Sequence, residues 1–441
     1  MHSFERTITP GFILKFTLPT IVMMVFNSFY TMVDGAFVSN FVGTGALSAI
    51  NIVYPAVNLI FAIGIMLATG GSAIVAKQMG EGDTQRAKRS FTLIVSFAAG
   101  LGAVLAVLGL LFAEPMVIAL GANGAILDYC RDYAFYLCLF VPFAMLQLLF
   151  QFFFATAGRP NLGLIATVAG GVANLVLDYV FIVPLGMGIK GAAIATGIGF
   201  IIPAAIGLVY FSGRRGRLLH FAKPVWEPRT LAGACANGSS EMVSNLSVAV
   251  TTFLFNLIMM KLLGEDGVAA MTIVFYAQFL FTAIFLGYTS GVAPLISFNY
   301  GADNKKRLAK LVRTSGCFIG VGSVLAYGLS VWLARYVVGV FAAADSAVFE
   351  LALHGMDLFA VGFLFMGSNI FASGLFTALS NGRVSAILSF LRTFVFIVAA
   401  IWLLPELWGV EGVWLSIPMA EFAALVVSAI YVLRLRGRYG Y

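Results

Sequence analysis

Long apolar stretches separated by short polar segments run the whole length of this chain. A bilayer span needs about 20 mostly apolar residues. Twelve runs meet that need, at 12–39, 47–76, 89–112, 126–156, 162–184, 190–211, 231–262, 267–298, 311–334, 347–377, 384–405 and 411–434. Each predicts a helix that crosses the membrane. The alternating apolar and polar pattern of an outer-membrane barrel strand is absent, which excludes that architecture. The polar interruptions are short except at 212–230, a basic stretch with Pro224 and Pro228. It separates a first six-helix lobe (1–211) from a second (231–441), so the predicted fold is an all-α membrane protein.

The two lobes repeat each other. Gly80 and Gly301 each close an apolar run, and Arg86 and Arg307 follow them at the same offset of 221 residues. Gly43 matches Gly264, and Gly188-Ile-Lys-Gly191 matches Gly409-Val-Glu-Gly412. Gly158-Arg159 is expected to answer Gly382-Arg383, three residues out of step. An even number of helices per lobe makes the repeats parallel, related about the membrane normal. Duplicated bundles of this kind enclose a central cleft and belong to secondary transporters.

Composition supports the same class. The chain is 61% hydrophobic and only 10% charged, with a mean hydropathy of +0.99, which no ordinary soluble domain shows. Of its 26 lysines and arginines, 21 fall at the N-terminus, in loops on one side, or after residue 433. Arg131, Lys190, Lys261 and Arg335 lie near the other side, and Arg392 lies within a helix. The positive-inside rule therefore places both termini in the cytoplasm. The net charge of +7 reflects this bias, and no domain exists to present it to nucleic acid. The first run carries Asp34 and lacks a cleavage site, so it reads as a retained helix. Cys130, Cys138, Cys235 and Cys317 fall in predicted helices and are expected to be buried free thiols. With His2, His220 and His354 scattered, no metal site is expected. No nucleotide-binding loop, HExxH or GxSxG motif occurs, so the chain is not read as an enzyme.

The informative residues are acids at membrane depth: Asp34, Asp178 and Glu241, with Asp357 and Glu421 as further candidates. A charged carboxylate there costs a few kcal/mol. A group that toggles between neutral and charged forms is what proton coupling requires. Tyr30 precedes Asp34 by one helical turn and Asn174 precedes Asp178 likewise, so each pair shares a face. Thr196 and Gln151 add polar groups in the same lobe. Glu241 sits among small residues with Asn245 one turn on; Met242 adjoins it in sequence, as Met32 lies close to Asp34. Phe and Met walls suit bulky apolar cations. Arg392 needs a buried partner, either Glu421 or Asp357. Pro19 lies on the Asp34 helix about four turns away and can bend it.

Tyr30-Thr-Met-Val-Asp34-Gly, Val42-Gly43 and Asn51-Ile-Val-Tyr-Pro55 resemble the first two helices of the multidrug and toxic compound extrusion (MATE) family. Asn174-Leu-Val-Leu-Asp178 and Gly188-Ile-Lys-Gly-Ala-Ala-Ile-Ala-Thr196 resemble helices 5 and 6 of its prokaryotic branch related to DNA-damage-inducible exporters. The resemblance covers the whole chain. It implies export of cationic amphipathic drugs by alternating access, in exchange for protons or sodium, across a bacterial or archaeal cytoplasmic membrane. It also implies a coupling site of Tyr30, Asp34, Gln151, Asn174, Asp178 and Thr196, and a bend at Pro19. Asp34, Glu241, Asn245, Met32 and Met242 are the expected substrate contacts. The helix-10 aspartate of sodium-coupled relatives has no clean match, since Ser368-Asn369-Ile-Phe371 occupies its helix. Protons are therefore the expected coupling ion, with sodium the rival and a lipid-linked precursor flippase a second rival. The expected partners are small cationic drugs and membrane lipid, with no cofactor beyond the coupling ion, and a monomer is the expected functional unit.

Overall fold

The computed structural model describes residues 4, 6–124, 126–213 and 216–441. His2 and the linker residues Arg214 and Arg215 lie outside them. No strand occurs among the described residues. The first half comprises α1 (Pro10–Phe41), α2 (Thr44–Gly80), α3 (Thr84–Leu111), α4 (Ala113–Ala119), α5 (Ile126–Cys138), α6 (Val141–Thr156), α7 (Pro160–Ile182) and α8 (Gly188–Ser212). The second comprises α9 (Pro228–Gly301), α10 (Lys305–Phe341), α11 (Ala347–Phe359), α12 (Phe363–Ala378), α13 (Gly382–Phe390), α14 (Phe396–Trp408) and α15 (Val410–Tyr439). A 3-10 turn at Ala360–Gly362 joins α11 to α12, and a π turn at Leu391–Val395 joins α13 to α14.

Among the described residues, ten helices are long and apolar enough to cross a membrane, and the bent pair α5–α6 makes an eleventh. The 74-residue α9 supplies the twelfth, because Gly264 breaks it into two limbs. Gly264 has φ 67° and ψ −150°, a conformation that a side chain would strain. Its repeat partner Gly43 turns the chain between α1 and α2 with φ 114°. Gly188 and Gly409 match far more closely, at 57° and 56°. The repeat in sequence is thus a repeat of turns.

Two sequence expectations need correction here. The run 126–156 is not one straight span: α5 and α6 meet at 58°. Pro142, in the first turn of α6, has no N–H to donate back to Cys138, so the helix breaks there. The match of Gly158-Arg159 with Gly382-Arg383 also fails. The left-handed residue before α7 is Gly158, and before α13 it is Ser380, so the structural register is 222 there. The cysteines are all free, but only Cys130 and Cys138 are buried; Cys235 is half-buried and Cys317 is exposed on α10.

Caps repeat as well. Asp83 Oδ1 accepts the Arg86 N–H at 3.0 Å to start α3, and Asn304 Oδ1 accepts the Arg307 N–H at 3.1 Å to start α10. The linker is fastened to the first half: Phe221 stacks on Phe91 with centroids 5.4 Å apart, and Ala222 N donates to Thr92 Oγ1 at 3.0 Å.

The halves meet through α1, α2 and both limbs of α9. A β-carbon at Gly70 would overlap the Ala234 carbonyl, and one at Gly238 the Met66 carbonyl. Likewise Gly80 abuts the Phe298 carbonyl, and Gly301 the Lys77 carbonyl. Only glycine permits backbones so close. These contacts all lie between mid-depth and the basic-loop ends of the helices. Farther out, Val248 and Val250 are 58% and 45% exposed although they point to opposite sides of α9. Tyr54 on α2 is likewise exposed. The halves are sealed on the basic-loop side and part on the other.

Candidate functional site

Four helices converge on the acids of the first half. Asp34 comes from α1, Asn174 and Asp178 from α7, Thr196 from α8 and Tyr133 from α5. Asp178 and Asn174 are fully buried although both lie on an otherwise apolar helix. The carboxyl groups of Asp34 and Asp178 approach each other side chain to side chain, with Asn174 against Asp178. Asn174 Nδ2 donates to Thr196 Oγ1 at 3.4 Å, and the Thr196 hydroxyl donates to the Ala192 carbonyl at 2.9 Å. The Asn174 amide is thereby tied to α8.

What this arrangement leaves over is acceptor capacity. Asp34 Oδ1, Asn174 Oδ1 and both carboxyl oxygens of Asp178 are buried without a well-formed hydrogen bond. Buried polar oxygens are normally paired, and each exception asks for an explanation. A proton shared between the carboxyl groups would turn an acceptor into a donor. A small hard cation would draw on the same oxygens. Tyr30 and Tyr133 both stand within electrostatic range of the two acids. Tyr30 also stacks on Phe26, with centroids 6.3 Å apart.

The expected cluster is therefore assembled, with one departure and one addition. Gln151 is buried, but its Nε2 donates to Thr167 Oγ1 at 3.3 Å, a contact that binds α6 to α7. Tyr133 was not among the expected residues. It has no acid or amide at helical spacing that singles it out, and the α5–α6 bend helps to set its helix against the cluster. Pro19 is buried inside α1, which remains one helix through it.

A second polar group lies in the other half. Arg392, mostly buried in the π turn, donates through Nε to both oxygens of Glu421, at 2.9 and 3.0 Å. Asn369 Nδ2 donates to the same carboxylate at 2.7 Å and to the Glu421 carbonyl at 2.8 Å. Glu421 is thus the partner of Arg392. Asp357 is exposed on α11 and is not the acid that Arg392 meets. Glu241 lies on the first limb of α9, one turn beyond Gly238, and Arg392 is within its electrostatic reach. Asn245 Nδ2 donates to the Glu241 carbonyl at 2.8 Å, and the Asn245 carbonyl accepts from Asn58 Nδ2 at 3.3 Å. That last bond crosses between the halves. Glu241, Met242, Asn245 and Met32 are all half-buried, so each keeps some accessible surface. Among the described residues no cluster of three or more metal-ligating side chains occurs.

Twelve apolar helices in two repeated halves, parted on one side and carrying buried acids, define a multi-pass membrane transporter. The MatE family model matches the chain twice, at residues 19–180 and 242–402, once in each half. The chain belongs to that family, the multidrug and toxic compound extrusion family, and is a transporter and not an enzyme. The chain is similar to the multidrug export protein MepA of Staphylococcus aureus (strain bovine RF122 / ET3-1), with 23% identity covering 99% of this chain and 96% of that protein. The MepA of S. aureus strain NCTC 8325 / PS 47 is 24% identical with the same coverage. Among solved structures, an outward-facing MATE transporter superposes with a TM-score of 0.90 at 22% identity, covering 97% of this chain and 96% of that one. A MATE in the straight conformation gives 0.91 at 21% identity, covering 98% and 97%.

Proposed function

We propose that this transporter exports cationic amphipathic compounds across the cytoplasmic membrane in exchange for protons, by alternating access. The observation that carries this reading is the facing pair Asp34 and Asp178, whose buried oxygens lack a well-formed hydrogen bond. The positive-inside rule makes the basic-loop side cytoplasmic, so the cleft of this conformation opens outward. A proton entering from outside satisfies the pair and removes the repulsion between two adjacent carboxylates. With the cleft inward and the acids ionised, their charge attracts a cation. Protonation outside weakens that attraction and the compound leaves. Proton and drug each lower the affinity for the other by the same factor, as linkage demands. Glu241, Asn245, Met32 and Met242 are the proposed substrate contacts, and the relatives named as multidrug exporters support this class of cargo.

Sodium coupling is the second reading, and Asn174 Oδ1 favours it, since an amide oxygen beside two carboxylates suits a hard cation. A flippase for a pyrophosphate-bearing lipid finds less support: Arg392, a mostly buried cation within the spans, is engaged by Glu421. The test is proton efflux. Adding a lipophilic cation to acidified inverted vesicles should dissipate the proton gradient with the parent protein and not with Asp178→Asn. Equal dissipation by both proteins would remove the acid pair from the mechanism.

A further inference from the structure

Arg86 and Arg307 stand 221 residues apart, at equivalent positions of the repeat, and each reaches across to the segment that leads into the first helix of the other half. Arg86 Nη2 donates to Glu227 Oε1 at 3.3 Å, just before α9 begins. Arg307 Nη2 donates to the carbonyl oxygens of Phe4 at 2.8 Å and Arg6 at 2.7 Å, just before α1 begins. The targets are themselves repeat-related, for Arg6 and Glu227 are also 221 apart. So are the supports, Asp83 and Asn304, which cap the two arginine-bearing helices. Beside these links lies the reciprocal packing of Gly80 against Phe298 and of Gly301 against Lys77, with Lys77 Nζ 5.3 Å from the Tyr300 ring centre. Phe4, 1% exposed, stacks on Phe298 at 5.1 Å and meets Phe16 edge-on at 6.1 Å.

We propose that Arg86 and Arg307 are paired positioning residues of the transport cycle, holding the leading segments of the two entry helices and thereby setting how readily the halves part on the basic-loop side. The proposal rests on the alternating-access reading. Parting the halves there requires Arg307 to release Phe4 and Arg6, or the leading segment to travel with α10 and peel away from α1. Arginine suits this work because its planar fork presents several donors at once and stays charged. The two latches differ in exposure, Arg86 being exposed and Arg307 half-buried. Arg86 and Glu227 are both half-exposed, so salt and water weaken their attraction. Arg307 binds main-chain carbonyls beside a buried phenylalanine, a charge-assisted contact that salt screens less. Arg307 is the stronger latch and Arg86 the tunable one.

The test reads the seal itself. Thr17 is fully buried and packs against Gly291 across the halves. With Cys130, Cys138, Cys235 and Cys317 replaced by alanine, Thr17→Cys is exposed to a membrane-impermeant maleimide in nanodiscs, without substrate or gradient. Arg307→Gln should raise the labelling rate roughly tenfold or more, the range for a lost charge-assisted hydrogen bond. Arg86→Gln should raise it about two- to fivefold, as expected of an exposed ion pair, and high salt should reproduce that effect. Arg307→Lys, which keeps the charge and loses the fork, should fall between parent and Arg307→Gln and covers the case in which the glutamine variant does not fold. In vesicles the same variants should change the maximal rate while leaving KM for a lipophilic cation within about twofold, the mark of a lost step outside ground-state binding. Parent-like labelling in Arg307→Gln or Arg307→Lys, and in Arg86→Gln, would overturn the proposal. Labelling needs no transported compound, so its outcome is separate from that of the export reading.

Discussion

Asp178 carries two carboxyl oxygens into a helix contact that supplies neither with a well-formed hydrogen bond, and Asp34 brings a second carboxyl group to meet them. Replacing either acid with its amide keeps the volume and adds a donor. Asp34→Asn and Asp178→Asn should therefore fold and should each lose the response of uptake to a proton gradient, by about 5- to 150-fold if ordinary coupling energies apply. Tyr133→Phe should keep transport and alter its pH profile, which vesicle uptake across a pH series would show. In the second half, Glu421→Gln leaves Arg392 without its charge partner in a mostly buried place. A loss of about 3–5 kcal/mol is expected, with most of it recovered when Arg392→Met and Glu421→Met are combined. Thermal unfolding in detergent measures both. At this scale the sequence was legible where charge contrasts with apolar surroundings: Asp34, Asp178 and Arg392 stand out against their helices, although the sequence left Glu421 and Asp357 as equal candidates for the partner of Arg392. It was illegible where approach between helices decides. Gln151 shares a plausible depth with the acids, yet spacing says nothing of which neighbour its face meets, and that neighbour proved to be Thr167.

At the scale of elements, glycines set where helices turn and how closely they pass. Gly264 divides α9 from φ 67° and ψ −150°, so Gly264→Ala should cost about 1–3 kcal/mol through strain alone. The same change at Gly316, whose missing β-carbon faces open space within α10, should be neutral or slightly stabilising. Comparing melting temperatures of the two variants isolates the turn. The twelve spans were readable from hydropathy because each exceeds the length a bilayer demands. The 58° bend between α5 and α6 was not, since apolar content continues unbroken through Pro142. The π turn that carries Arg392 was equally hidden: its extra residue alters hydrogen bonding without altering composition.

For the whole molecule, the repeat duplicates the scaffold and not the chemistry. Turn glycines, helix caps and cross-half latches recur 221 residues apart. The repeat position of Asp34, however, is the buried Phe255, and that of Glu421 is Phe200. One half thus holds the unpaired acids, and the other an arginine-neutralised network beside Glu241. On the proposed mechanism this asymmetry divides the labour, with ion coupling in the first half and cargo recognition near the floor of the cleft. Glu241→Gln should accordingly raise KM for a lipophilic cation while leaving the proton dependence of uptake in place, as expected when a ground-state contact is removed. Initial uptake rates over a range of cation concentrations give both quantities.

The central claim is that protons drive export through the acid pair of the first half. Uptake of a fluorescent lipophilic cation into inverted vesicles, under an imposed proton gradient and separately under an imposed sodium gradient, tests it most directly with the parent protein and Asp34→Asn. The account predicts uptake by the parent under the proton gradient and its loss in Asp34→Asn. Uptake that follows sodium alone, or proton-driven uptake that survives Asp34→Asn, would contradict it.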